Sequence, residues 1–96
     1  MTYERTIRED VLESARACVL QDRNKTYGGP EDSFALIAGY WTVYLGVEVT
    51  AVQVAHLMAL MKLARLTSNP THLDSYVDLA GYAACGAEVA ANMESE

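Results

Sequence analysis

The chain has 96 residues, of which 51% are hydrophobic and 21% charged, and its formal net charge is −6. This length fits one domain, and so large an apolar share in a small domain points to surface that another subunit covers. The acidic balance excludes general DNA or RNA binding, which needs a basic patch to neutralise phosphates, but it leaves room for a local cationic pocket that takes one small anion.

The opening "MTYERTIRED" holds no apolar stretch resembling a signal peptide. No apolar run reaches the roughly 18 residues that a membrane span needs. The expectation is a cytoplasmic protein with no membrane partner.

The spacing predicts a first helix over about residues 4–22, with Ile7, Val11, Leu12, Ala15, Cys18 and Val19 on one face. Arg5, Arg8, Glu9, Glu13 and Arg16 form the opposite, solvated face. "RNKTYGGPED" follows, where Gly28, Gly29 and Pro30 stop regular structure. Pro30 also suits the first turn of a second helix over about 30–45, with Glu31 and Asp32 at its positive end. Phe34, Ile37, Ala38, Trp41 and Leu45 share its core face, Tyr40 and Tyr44 read as packing residues, and Gly46 is the stop.

Thr50-Ala51-Val52-Gln53 fits a capping box, so a third helix covers about 50–66. It is apolar almost all round, which makes it the centre of the fold or of a dimer or tetramer that buries it. "TSNP" is a loop, after which Thr71 caps a fourth helix over about 71–92 with Asp74 at N3. The middle of that helix, "LAGYAACGAEVAA", is small enough to let another helix approach closely. Cys18 and Cys85 lack metal or redox spacing and read as small core residues, with a disulfide between them left open. His56 reads as a core or interface histidine and His72 as exposed. The fold class is therefore all-α, a single domain over 1–96 built as a compact four-helix unit of two antiparallel helical hairpins, and oligomeric.

The short loop between helices 3 and 4 makes them antiparallel neighbours, so residues equidistant from it lie level. Arg65 then falls opposite Asp74, and Lys62 opposite Asp78, with Tyr82 one turn further on. One reading is a pair of interhelical salt bridges that set the register of the hairpin. The other brings Arg23, Lys25 and Tyr27 over this cluster as a glycine-hinged lid. Cations would take phosphate oxygens, Tyr27 or Trp41 would stack on a base, and Glu31, Asp32, Asp74 and Asp78 would hold Mg²⁺ or accept from base and ribose donors. Lys62, Arg65 and Tyr82 complete that candidate ligand site.

"RNKTYGGPEDSF", "KLARL" (Lys62 to Leu66) and "DSYVDLAGYA" (Asp74 to Ala83) together resemble a helical domain found mainly in tailed bacteriophages, over about residues 23–87. The helical pattern is more loosely similar to the MazG-like all-α nucleoside triphosphate pyrophosphohydrolases, which hold Mg²⁺ with ExxE and ExxD motifs. Here helix 2 has no ExxE, and Asp74 and Asp78 stand at i, i+4; Asp10-x-x-Glu13 is the one near match. The charged pocket and the phage resemblance together lead to the expectation of a phage protein in the host-cell cytoplasm that binds a nucleotide or nucleotide-derived signal, acting as a sponge against host defence. Two alternatives stand beside it: a Mg²⁺-dependent pyrophosphohydrolase of the MazG-like kind, and an interaction module that inhibits a host protein.

Overall fold

The structure is a computed structural model that describes residues 4–22 and 29–94. Its described residues form four α-helices and no strand: α1 (Ile7–Ala17), α2 (Pro30–Leu45), α3 (Ala51–Ser68) and α4 (Leu73–Glu94), with α1 running on into a π-helical turn, Cys18–Asp22.

Local chemistry accounts for the helix ends. Thr6 caps α1 reciprocally: its hydroxyl accepts from the Glu9 N–H at 3.2 Å, and its own N–H donates to Glu9 Oε1 at 3.1 Å. Thr50 and Gln53 cap α3 the same way, at 3.2 and 3.0 Å. Gly29 and Pro30 open α2, which ends at Gly46 with φ 75°, a left-handed conformation that glycine adopts without a Cβ penalty. The start of α4 differs from expectation. Thr71 does not cap it but donates to Asn69 Oδ1, while the helix begins at Leu73 with the buried Ser75 hydroxyl 2.7 Å from His72 Nδ1. That contact joins two side chains and satisfies no backbone N–H of the first turn.

Phe34, Ala38, Val54, Ala55, Cys85 and Val89 form the core, with Val19, Ile37, Trp41, Met58 and Tyr82 packed around them. The helix that touches all the others is α4, and its broadest interface is with α3. Its small residues explain why: a Cβ on Gly86 would stand 3.0 Å from the Ala55 methyl, so the two backbones approach at the limit of contact. Ala55 beside Gly86 and Lys62 beside Asp78 fix α3 and α4 as antiparallel.

Four expectations are corrected here. The first helix packs on α4 and not in a hairpin with α2. The third helix is not the centre of this chain, because only one side of it is buried (Val54, Ala55, Lys62, Leu66) while Leu57, Leu60, Met61 and Leu63 are exposed. Tyr40 and Tyr44, read as packing residues, are also exposed, as is Leu45. Cys18 is exposed and Cys85 buried, with no disulfide between them.

Candidate functional site

Lys62 lies on the same side of α3 as Ala55, Met58 and Leu66, so its stem runs through apolar packing. Its ammonium reaches Asp78 Oδ2 on α4 at 2.8 Å; the lysine side chain is 10% exposed and the aspartate 34%. Among the described residues this is the ion pair that joins two helices, the others lying within the α1 segment. A charge at this depth needs a counter-charge, and the stem lets the ammonium reach the one that faces water.

The other candidates divide. Arg65 and Asp74 lie one turn nearer the loop between α3 and α4 than that pair, both exposed, and no salt bridge joins them. Tyr82 is spent largely on packing, its ring 6.3 Å from that of Phe34 at 36°. Trp41 likewise lies half-buried against the core. Glu31 folds back towards Gly29 and accepts a hydrogen bond from Asn92 Nδ2, while Asp32 is exposed. Asn92 stands fourteen residues beyond Asp78 on α4, a rise of about 21 Å. Glu31 and Asp32 are therefore not brought together with Asp74 and Asp78, and no group of three or more His, Cys, Asp or Glu among the described residues could hold a metal ion. Arg23, Lys25 and Tyr27 lie outside the described residues.

Among the described residues, two cavities flank α4. A groove of about 570 Å³ runs between α1, the start of α2 and α4, walled by Leu12, Val19, Leu20, Ala80 and Ala84, with Arg16, Glu31 and Glu88 as its charged members. A cleft of about 40 Å³ lies against Asp78, Gly81, Tyr82 and Phe34. Val19 and Cys85 belong to the walls of both, so the two spaces adjoin. The groove has the volume of a small-molecule site, whereas the cleft holds no more than one or two waters. Sequence reasoning missed the groove because it needs α1 on α4. The signal present was Leu12 and Leu20, two turns apart, with Arg16 midway between them.

The sequence matches the family profile described as "Domain of unknown function (DUF6378)" over residues 10–90. It is 44% identical over 77 residues to the Gene 55 protein of Mycobacterium phage D29, covering 80% of this chain and 51% of that protein. The Gene 55 protein of Mycobacterium phage L5 is 39% identical over 74 residues, covering 76% of this chain and 47% of the relative. The chain thus spans about half the length of the curated relatives it matches. No solved structure matches it. No helix among the described residues is long and apolar enough to cross a membrane.

Proposed function

Because the chain belongs to the DUF6378 family, a phage domain family whose description carries no chemistry, we propose its function from the groove: it binds a nucleotide-type small molecule without turning it over. The observation that carries this reading is the 570 Å³ groove, apolar along α1 and α4, with one arginine and two carboxylates in its wall. The apolar wall suits the face of a base, Arg16 a phosphate oxygen, and Glu31 and Glu88 the exocyclic amine of a base and the ribose hydroxyls. Towards Asp78 the groove adjoins the cleft, where Tyr82 and Asp78, the partner of Lys62, form the far end. In this role Lys62 and Asp78 position α4 against α3.

The separation of Glu31 from Asp78 favours binding over a Mg²⁺-dependent hydrolase, which needs several carboxylates converging on one metal and its water. Sequestering a host signal is the biological use that such binding would serve.

Calorimetry against mono-, di-, tri- and cyclic nucleotides, with and without a chelator, tests the reading. The expected result is one nucleotide class bound equally well in chelator, with no pyrophosphate released. Binding by none of them, or binding that requires Mg²⁺ and ends in pyrophosphate release, overturns it.

A further inference from the structure

The outward side of α2 is a feature that this function leaves unused. Leu36, Tyr40, Val43 and Tyr44 recur at i, i+4, i+7 and i+8, which sets them on one helix face. That face lies opposite the buried Phe34 and Ala38; Val43 is 84% and Tyr44 89% exposed. Single exposed apolar residues are ordinary, but a stripe of four over two turns is not.

We infer that this stripe is the contact through which two copies of the chain pair about a twofold axis. Area is the first argument. Leu36, Tyr40, Val43 and Tyr44 are 62%, 69%, 84% and 89% exposed. An aromatic side chain alone buries about 150–250 Å², so this stripe supplies a large part of the roughly 800 Å² that each partner contributes to a standard stable interface.

Charge is the second argument, and it selects the occupant. Copies carrying a net charge of −6 repel one another through most of their surface. From Ser33 to Val47 the chain carries no charged residue at all, so this face can meet its own copy without like charges in contact. A twofold interface requires a self-complementary patch, and an uncharged apolar stripe satisfies that condition. A partner recruited by its charge would find nothing here to recognise. The inference is independent of the groove, which meets α2 only at its first turn, away from this face.

Sedimentation equilibrium or light scattering of the 96-residue chain at micromolar concentration tests the pairing. The expected mass is twice that of the chain, and dimerisation strengthens as salt screens the net charge. Val43→Lys with Leu36→Lys weakens association about tenfold or more with unchanged helical circular dichroism, since both side chains are exposed. Leu12→Lys, an equally exposed apolar site on α1, leaves the dimer intact. A monomeric wild-type chain overturns the inference, including one that instead forms a complex with a different protein. So does a dimer that the α2 substitutions leave unchanged.

Discussion

Removing Asp78 is the sharpest probe of the α3–α4 seam. At 2.8 Å and an effective dielectric near 20, the direct attraction to Lys62 is about 6 kcal/mol, set against a desolvation cost of several kcal/mol per ion. The net contribution of the pair is therefore small, but the cost of breaking it depends on which partner remains. Asp78→Ala strands an ammonium whose side chain is 10% exposed. Loss of one partner from a buried pair costs about 3–5 kcal/mol; the lysine stem can carry its charge toward water, which lowers the expectation to about 2–3 kcal/mol. Lys62→Met leaves behind a carboxylate that is already one-third hydrated and a thioether that fills the stem's place, for about 1 kcal/mol or less. Lys62→Met with Asp78→Leu should fall within about 1 kcal/mol of the wild type. Urea unfolding followed by circular dichroism and Trp41 fluorescence at one fixed protein concentration reads these differences. In Tm they amount to about 4–8 °C per kcal/mol for a domain of this size. A larger loss in Lys62→Met than in Asp78→Ala would refute the reasoning, as would a double variant whose loss equals the sum of the two single losses.

Two further substitutions test the packing and the caps. Gly86→Ala forces a methyl to 3.0 Å from Ala55 and should cost about 1–3 kcal/mol, while Gly81→Ala on the same helix meets nothing within 4 Å and should gain up to about 1 kcal/mol; thermal melts compare the pair directly. Thr50→Ala removes the acceptor for the Gln53 N–H and should cost about 1 kcal/mol, read as a lower urea midpoint at unchanged slope.

What the sequence made legible follows the range of the interaction. The capping box at Thr50 and Gln53 and the stop at Gly46 are local, so four residues suffice to read each. The meeting of Lys62 with Asp78 was legible because a short loop ties the levels of two helices together. The same argument placed Arg65 opposite Asp74, yet both are exposed and make no salt bridge with each other. Level residues need not pair where water competes for each charge. The seating of α1 on α4 was not legible, since periodicity names an apolar face without naming what covers it. For the same reason Tyr40 and Tyr44 read as packing residues although they face outward on this chain. The candidate carboxylates fared similarly: residue type proposed a metal set, but convergence is a long-range property, and Glu31 ends beside Asn92 rather than Asp78.

The most direct test of the central claim is nucleotide binding by a chain whose groove has been filled. Ala84 is exposed and forms part of the groove wall, so Ala84→Phe occupies the space with little demand on the core. Calorimetry with the nucleotide that the wild-type chain takes up should show binding abolished in Ala84→Phe, while the circular dichroism spectrum and unfolding midpoint stay at wild-type values. Undiminished affinity in that folded variant would contradict the assignment of the groove as the ligand's seat.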